Sequence, residues 1–492
     1  MLFIVLLVLF ITVILCTAVF YFKLINRNYW RKQNVVQVGD LIIKFMFGKE
    51  SIPEIVKKIY DEYDEPYVGM TQGTVPTLML KCPEDIKAVL AGEFQSFHSR
   101  GIIANPNDLL ADNLLFINDF NRWKILRHNL SPIFSNVKLK SMFYIFDKCS
   151  RDFVDYLEDN LHMRPKTFES LYTYTTSSIG AAVFGIDTRT NSTMESPFLD
   201  MAWKILEPSR KVNIVIAVAN VFPSLYKRLQ LKIFGEYEDF FVGVVKKVLA
   251  YRSLEIIRRS DFIDIFVQIQ RHGMMQDFIT CYELKPTDEI LAAQIFLFFI
   301  AGADTSANTM NYTLLELSNN PKILAKLHEE IDKVFEDRAE EINFNDIEKM
   351  HYLDKVLKES MRKYPPIGII QRLCSKDTYL PSGVKVANGN IVLIPVFALH
   401  RDEKYYPNPD VFDPDRFSSE NNWNMNNYVY LPFGEGNRIC LARSSIATFK
   451  TIVRASKRRR AETTETNESA CIWSNLFEVF KIRSIFFLSH RL

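Results

Sequence analysis

The sequence has no close grouping of metal-binding or disulfide-forming residues. Its seven cysteines are widely spaced with no C-x-x-C motif, and its eight histidines include no H-E-x-x-H motif. An odd number of scattered cysteines fits a protein that faces a reducing compartment. The pattern therefore argues against a disulfide framework and against a zinc site.

The chain also lacks a charge excess and an internal linker. Its 60 basic and 58 acidic side chains give a net charge of +2 over 492 residues, which gives no case for nucleic acid as a ligand. No Gly/Ser- or Pro-rich linker interrupts residues 60–440, so we expect one large domain instead of the roughly three that length alone suggests. With 48% hydrophobic residues, the chain can bury a large core.

The longest uncharged segment lies at the N-terminus, from Leu2 to Phe22. A helix of that length would span roughly 30 Å, the thickness of the bilayer hydrocarbon. A cleaved signal peptide fits less well, because no basic segment precedes the run and no small-residue cleavage site follows it. Basic residues follow the run and predict a cytosolic flank: Lys23, Arg27, Arg31 and Lys32.

We therefore expect a single-pass membrane helix at 2–22, a connector at 23–52 and a catalytic domain at 53–492. Aromatic residues after the run, Tyr29 and Trp30 among them, are expected near the membrane interface.

Helical periodicity dominates the middle of the chain. From Pro83 to about Arg362, apolar residues recur at three- and four-residue steps. The preceding segment, YVGMTQGTVPTLMLKCP, alternates as a β-hairpin does, and turn residues between Leu373 and Pro395 predict further strands. This order favours a mainly α fold with a small β region.

The longest predicted helix, from Thr287 to Asn319, carries polar residues in an apolar middle that reads IFLFFIAGADTSANT. The apolar run is too short to cross a bilayer, so it predicts a buried helix. Glycine costs about 1 kcal/mol in a helix interior, so Gly302 close to Asp304 and Thr305 points to a function. A packing glycine beside a capped polar pair is the structural alternative.

The segment FGEGNRIC, from Phe433 to Cys440, delivers a single cysteine on a glycine-rich turn. Glycine permits backbone conformations that other residues resist, so amide N–H groups can surround the sulfur. A thiolate held in this way is a candidate ligand for haem iron.

Two spaced pairs complete the set of motifs. Glu359 and Arg362 share a helix face before a Tyr-Pro-Pro stop, although E-x-x-R also occurs elsewhere in the chain. Trp123 and Arg127 form a W-x-x-x-R pattern that does not recur. Taken singly, each cation could equally be a surface residue.

The four motifs, in this order, resemble the signatures of the cytochrome P-450 haem-thiolate monooxygenases. The cysteine segment matches Phe-x-x-Gly-x-Arg-x-Cys-x-Gly, except that Ala442 stands where the signature has its last glycine. The long helix matches Ala-Gly-x-Asp-Thr-Ser, and the local sequences SFHSRG and ALHRD are closest to insect microsomal members. The resemblance implies the cytochrome P-450 fold, mainly α with a small β region.

The resemblance also implies the cofactor and the roles of individual residues. The cofactor would be haem, with Cys440 as the axial ligand of its iron. The side chains that would hold the haem are Trp123, Arg127, Arg372, Phe433 and Arg438. Asp304 and Thr305 would relay protons during oxygen activation. A buried network would pin the segment that carries the cysteine: Glu359, Arg362 and Arg416.

The resemblance further implies a substrate class and partners. Phe298, Ala301 and Ile369 would line an apolar pocket, which suits a lipophilic small molecule. The enzyme would insert one atom of O₂ with electrons from an NADPH-dependent flavin reductase. We expect a monomer in contact with membrane lipid at the endoplasmic reticulum, with its catalytic domain on the cytosolic side. The apolar segment 212–226 either dips into the membrane or forms a buried helix pair.

Two other functions stay open at this point. The same fold could carry out a redox-neutral isomerisation without a reductase, although the intact acid–alcohol pair argues against it. The chain could also be an inactive haem-binding membrane protein, because the sequence after Arg443 departs from the family pattern. There a basic run from Lys457 to Arg460 leads into a polar stretch and an apolar end.

Overall fold

The computed structural model describes residues 17, 28–160, 167–185, 194, 197–207, 209–255, 259, 261–336, 344–418 and 428–446. The predicted membrane helix at 2–22, apart from Thr17, and the tail after Ile446 lie outside the described residues.

Helices make up most of the described chain, as the sequence predicted. The α-helices are α1 (Leu41–Phe47), α2 (Ile52–Glu62), α3 (Pro83–Lys87), α4 (Phe120–Leu130), α5 (Asn136–Ser141), α6 (Phe143–Asn160), α7 (Thr167–Phe184), α8 (Pro197–Leu206), α9 (Arg210–Val221), α10 (Pro223–Arg228), α11 (Glu238–Leu254), α12 (Phe262–His272), α13 (Asp288–Asn319), α14 (Pro321–Glu336), α15 (Phe344–Glu348), α16 (His351–Lys363) and α17 (Val396–Leu399).

The strands are short and fall mainly at the two ends of the described chain. They are β1 (Gln37–Asp40), β2 (Tyr67–Gln72), β3 (Val75–Leu80), β4 (Met275–Asp277), β5 (Tyr282–Leu284), β6 (Ile370–Leu373), β7 (Thr378–Tyr379), β8 (Lys385–Val386) and β9 (Ile391–Ile394).

One five-stranded sheet has the order β1-β2-β3-β9-β6. The predicted hairpin is confirmed: β2 and β3 pair antiparallel across a two-residue turn in which Gly73 has φ +61°. β9 then pairs parallel with β3 and antiparallel with β6. β6 and β9 are the first and last strands of the later β region, and both therefore belong to the same sheet as the first hairpin. The sheet therefore brings residues far apart in the sequence to one side of the molecule.

The segment 28–52, which the sequence analysis assigned to a connector, belongs to the folded domain. β1 pairs in parallel with β2. Trp30 is fully buried, and its indole Nε1 donates to the Met70 carbonyl at 3.0 Å. A side-chain carbon at Gly69 would lie 2.3 Å from the Trp30 ring, so only glycine leaves room for it. Trp30 is thus a core residue instead of the expected interface residue, because the β2 strand supplies both a slot and a hydrogen-bond acceptor.

A hairpin also interrupts the region predicted to be wholly helical. β4 and β5 pair antiparallel just before the long helix α13. Lys124 of α4 bonds to Asp277 at 2.6 Å and ties this hairpin to α4.

Helix α13 runs through the largest hydrophobic core. Both its N-terminal half and residues such as Ala307 further along are buried, and Thr287 caps its start by accepting from the Ile290 N–H. Among the described helices, α13 alone has the length and apolar composition to span a membrane. Its burial in the core confirms the prediction of a buried helix. α7 packs along it, and the missing side chain of Gly302 admits Ile179 of α7.

Candidate functional site

The cysteine loop is a compact turn that two glycines make possible. Gly434 and Gly436 have φ of +68° and +75°. A side-chain carbon at Gly436 would lie 2.0 Å from the Leu90 carbonyl oxygen, so no larger residue fits there. The Cys440 N–H donates to the Phe433 carbonyl at 3.0 Å and closes the loop.

The sulfur of Cys440 is accessible to solvent although protein surrounds it. Burial raises the pKa of this thiol, while the Ala442 N–H and the guanidinium groups of Arg127 and Arg100 act in the opposite direction. The thiol is therefore accessible in surroundings that are largely protein. Ala442 itself has φ −86°, which an alanine adopts without strain, so the departure from glycine does not distort the loop.

Three arginines reach this loop from other elements, and the loop carries a fourth, Arg438. Arg127 of α4 donates to the Ile439 carbonyl at 2.7 Å, and Arg100 approaches the Arg438 carbonyl at 3.4 Å. Arg438 donates to two carbonyls of the segment before α4 and lies 4.6 Å from the centre of the Trp123 ring. Arg372 enters from β6.

Among the described residues, no carboxylate acts on the positive charges of this arginine cluster (Arg100, Arg127, Arg372 and Arg438). Burial and the neighbouring guanidinium groups lower the pKa of Arg438 to about 8, that of Arg372 to about 9 and that of Arg100 to about 10. Among the described residues, only the Cys440 sulfur acts as an opposing negative charge on any of the four. Among the residues that the structure describes, the buried Nε atoms of Arg372 and Arg438 have no hydrogen-bond partner.

Such a cluster is unfavourable unless a dianionic group joins it. Haem carries two propionates, and the donors present fit them, because planar guanidinium groups bind carboxylates with paired hydrogen bonds. Three of the arginines were predicted from the sequence. Arg100 was not assigned this role: it lies within the quoted SFHSRG segment, but a lone arginine in a loop has no periodic or spacing signal.

The polar notch of α13 lies in the middle of an otherwise buried helix. Ala301 is exposed there, and the Thr305 hydroxyl donates back to its carbonyl at 2.6 Å. Asp304 accepts from the Asn308 amide at 3.0 Å, and burial raises the pKa of its carboxyl. The notch therefore holds a hydroxyl and a carboxyl that tends to keep its proton.

The predicted pocket residues differ in where they lie. Ala301 is open to the interior of the notch, and Ile369 is partly buried just before β6. The next residue, Ile370, comes within 3.7 Å of the position of a side-chain carbon at Gly434, so this segment adjoins the cysteine loop. Phe298 is instead buried in an aromatic group, 5.1 Å from Phe134 between ring centres. Its contacts are therefore core contacts and do not support a place on the pocket wall.

Glu359 and Arg362 form a completely buried pair, and Arg416 joins them from a partly exposed position. Arg362 makes two hydrogen bonds to the Glu359 carboxylate, at 2.7 and 2.8 Å, and donates to the His400 carbonyl at 2.8 Å. Arg416 lies 3.4 Å from the same carboxylate and donates to two carbonyls of the segment 407–408. The three charged groups thus join α16 to the polar segment that leads into the cysteine loop.

The domain is mainly helical and contains one mixed sheet. It also has an accessible cysteine on a glycine turn and a buried arginine cluster. These features together are those of a haem-thiolate protein. The chain belongs to the cytochrome P450 family, whose model matches residues 27–444. It is 31% identical over 447 residues to cytochrome P450 6k1 of Blattella germanica, covering 87% of this chain and 85% of that protein. It is 33% identical over 398 residues to probable cytochrome P450 6a21 of Drosophila melanogaster, covering 80% and 79%. Cytochrome P450 6B7 of Helicoverpa armigera is 31% identical over 448 residues, with coverages of 88% and 87%.

The predicted family, its insect relatives, the cofactor and the enzyme class are thereby confirmed. The chain is a haem-dependent monooxygenase whose iron is held by a cysteine thiolate, and it uses molecular oxygen, a substrate and a redox partner.

Proposed function

We propose that this enzyme inserts one atom of O₂ into a lipophilic small molecule with electrons from an NADPH-dependent flavin reductase. The observation that carries the proposal is the arginine cluster around an accessible cysteine, because its buried positive charges suit an anionic group such as the haem propionates beside a potential iron ligand. When bound, haem supplies the oxygen-binding and oxygen-cleaving chemistry through its thiolate-ligated iron.

The residues of this chain divide that work. Cys440 would ligate the iron, and Trp123 with the arginine cluster would hold the propionates. The carbonyl of Phe433 accepts the hydrogen bond that closes the cysteine loop, and its side chain would lie beside the haem ring. Asp304 and Thr305 would move a proton toward the oxygen site, because burial raises the pKa of the carboxyl and the hydroxyl stands one residue further along α13.

The apolar surroundings of the notch support a lipophilic substrate. Ala301 is open to the interior, and the Ile367–Ile370 segment adjoins the cysteine loop, so both sides of the expected pocket are aliphatic. We further propose that a monomer lies at the endoplasmic reticulum membrane with its catalytic domain on the cytosolic side. The apolar run 2–22 with its basic flank supports this location.

The experiment is to express the full chain in membranes and record the reduced carbon monoxide difference spectrum. We expect the band of thiolate ligation in the wild type and its loss in Cys440→Ser. The matched control is Cys281→Ser, because Cys281 is exposed on the β4–β5 hairpin. Retention of the band by Cys440→Ser would contradict the ligand assignment.

Turnover then tests the reaction class. Product formation should require both reductase and NADPH, and Thr305→Ala should consume NADPH with less product. Product formation from a peroxide substrate without any reductant would instead favour the redox-neutral isomerisation.

A further inference from the structure

Gln294 is a buried polar side chain in the apolar part of α13. No other polar side chain occurs between Ile290 and Ala301, and Gln294 is fully buried. It lies seven residues before Ala301, so both residues share one face of the helix, roughly 10 Å apart along its axis. One amide hydrogen bonds within the helix, to the Ile290 carbonyl at 3.3 Å. A buried amide is unfavourable unless its other groups are also satisfied, so its remaining partners show what this face of α13 holds.

The amide of Gln294 binds the loop before α4, residues 109–117. Its Oε1 accepts from the Leu114 N–H at 3.0 Å, and its Nε2 donates to the Asp112 carbonyl at 2.7 Å. These two peptide groups lie on either side of Asn113. One side chain therefore clamps the loop through an acceptor and a donor, which neither a carboxylate nor an aliphatic side chain can do.

Asn113 gives the clamped loop an internal frame. It is fully buried, its Oδ1 accepts from the Leu115 N–H at 2.9 Å, and its Nδ2 donates to the Leu110 carbonyl at 2.7 Å. The backbone on both sides of Asn113 is thus tied together. A constraint on the peptide groups next to Asn113 therefore also fixes the neighbouring carbonyls.

Two of these carbonyls hold Arg438 of the cysteine loop. The Leu114 carbonyl accepts from Nη1 of Arg438 at 3.2 Å, and the Ile117 carbonyl accepts from Nη2 at 3.0 Å. The guanidinium also lies 4.6 Å from the centre of the Trp123 ring. Leu114 bonds to Gln294 through its N–H and to Arg438 through its carbonyl, so a single residue joins α13 to the cysteine loop.

We propose that Gln294 is a positioning residue for the haem, because it fixes the loop carbonyls that orient the Arg438 guanidinium toward a propionate. The two carbonyls use one donor on each terminal nitrogen of Arg438. Its buried Nε–H has no partner among the described residues and stays available to a carboxylate. This inference rests on the proposed role of Arg438 in binding the propionates.

The test is haem retention by Gln294→Leu, which has a side chain of similar size and makes neither bond to the loop. The full chain is loaded with haem in membranes, and the rate of haem transfer to an acceptor protein is measured. Transfer should be faster by about tenfold or more, the equivalent of one hydrogen bond to a charged group. The reduction potential of the bound haem should fall, because a propionate whose charge is less compensated favours ferric iron.

The matched control is Thr313→Val on the same helix. Thr313 is as fully buried as Gln294, and its hydroxyl donates to the Thr309 carbonyl of α13 at 2.7 Å. This control therefore removes a buried polar group from α13 without touching the loop before α4. Haem transfer and the reduction potential should equal those of the wild type.

A double-mutant cycle separates an effect through Arg438 from a general loss of packing. Arg438→Lys keeps the charge but lacks the planar fork that the two carbonyls hold. In the Arg438→Lys background, Gln294→Leu should alter haem transfer and potential little. Additive effects would show that Gln294 acts independently of Arg438 and would overturn the inference.

Gln294→Asn takes the place of Gln294→Leu in the same cycle if the leucine variant does not fold. It keeps an amide in the core, but it is one methylene too short to reach both peptide groups. If Arg438→Lys accelerates haem transfer and the Gln294 variants do not, only this inference fails. If Arg438→Lys changes neither haem transfer nor potential, the proposed propionate role of Arg438 fails as well.

Discussion

At the level of single residues, the arginine cluster has opposite effects on the haem-free and the haem-bound protein. Without haem, Arg100 adds to a set of buried like charges; with haem, it is expected to reach a propionate. Arg100→Gln should therefore raise the thermal midpoint of the haem-free protein. It should also raise the dissociation constant for haem by about tenfold or more, the equivalent of one charged hydrogen bond.

Differential scanning of the haem-free protein and haem transfer to an acceptor protein measure these two effects. Arg443→Gln removes an exposed arginine from the same region and should alter neither. If Arg100→Gln lowered the midpoint of the haem-free protein, Arg100 would be stabilised by groups other than haem.

His400 makes the acid stability of the fold depend on one neutral imidazole. Its Nε2 accepts from the Leu431 N–H at 2.8 Å, and its Nδ1 faces the Arg362 carbonyl at 3.1 Å. Burial and the charge of Arg362 lower the pKa of His400 to about 3. The unfolded chain binds a proton on this residue at about pH 6.5. The folded chain therefore binds fewer protons between about pH 6.5 and about pH 3.

In that window the free energy of unfolding should fall by about 1.4 kcal/mol for each pH unit of acidification, and above pH 6.5 the contribution is complete. Chemical denaturation at a series of pH values measures the slope. His400→Gln should flatten it, whereas His128→Gln, at an exposed position, should not. Equal slopes in all three proteins would show that His400 is protonated in the fold.

Sequence reasoning at the residue level worked where several residues share one spacing. The cysteine turn, the Glu359–Arg362 pair and the Trp123–Arg127 pair each have a pattern that can be recognised in a linear sequence. Arg100 has none, because its role comes from a loop brought to Cys440 by the sheet. Phe298 has the expected helical spacing from Ala301, but spacing does not show that Phe134 and α12 pack against its ring, so its place on the pocket wall stays a prediction.

At the level of elements, the contact between α7 and α13 depends on one glycine. Alanine at 302 would place a carbon 2.8 Å from Ile179 Cγ1, and this overpacking costs about 1–3 kcal/mol. The gain in helix propensity is only about 1 kcal/mol. Gly302→Ala should therefore lower the free energy of unfolding by up to about 2 kcal/mol.

In an Ile179→Ala background the clash disappears, and the same change should become stabilising by about 1 kcal/mol. Gly243→Ala on α11 is the control, because no described atom lies within 4 Å of a side-chain carbon there. Denaturation of the four proteins forms a double-mutant cycle. If the effects of Gly302→Ala and Ile179→Ala on the free energy of unfolding were additive, the two helices would have room to move apart at this point.

Long periodic elements were predictable, and short ones that form through distant pairing were not. The 32-residue helix α13 and the β2–β3 hairpin each follow from local sequence. β1 has four residues and forms because β2 offers it an edge, so no local pattern within the predicted connector at 23–52 indicates this strand. The three-residue strands of the β4–β5 hairpin are likewise too short for an alternating pattern to be recognised.

At the level of the whole molecule, the segment around α9 and α10 has two apolar faces. Its inner face is buried: Val215, Ala219 and Tyr226 form a small core cluster. Its outer face is apolar too, with Ile214, Leu225 and Leu229 exposed by 63%, 44% and 56%. The inner face agrees with the predicted buried helix pair, whereas contact of the outer face with the membrane stays a prediction.

The charges beside this outer face indicate what it meets. Arg210, Lys211, Lys227 and Arg228 are all exposed at the ends of the two helices. Exposed aliphatic residues bordered by cations are typical of a surface that lies in the headgroup region of a membrane with anionic lipids. A membrane helix at 2–22 would hold the domain close enough for this contact, which would place the entry of a lipophilic substrate at the bilayer.

Photoactivatable phospholipid in vesicles that contain the full chain tests this orientation. We expect cross-links on residues 214–229, because acyl chains should reach the outer face of α9 and α10. Tyr251 and Leu254 at the end of α11 are the control, since they are exposed by 62% and 83% while the neighbouring Arg252 and Arg259 are paired with acidic side chains. Replacing Ile214, Leu225 and Leu229 by serine should abolish labelling of the segment while the carbon monoxide band persists. Equal labelling of the α11 end would mean that exposure alone determines the cross-links and that α9 and α10 do not face the membrane.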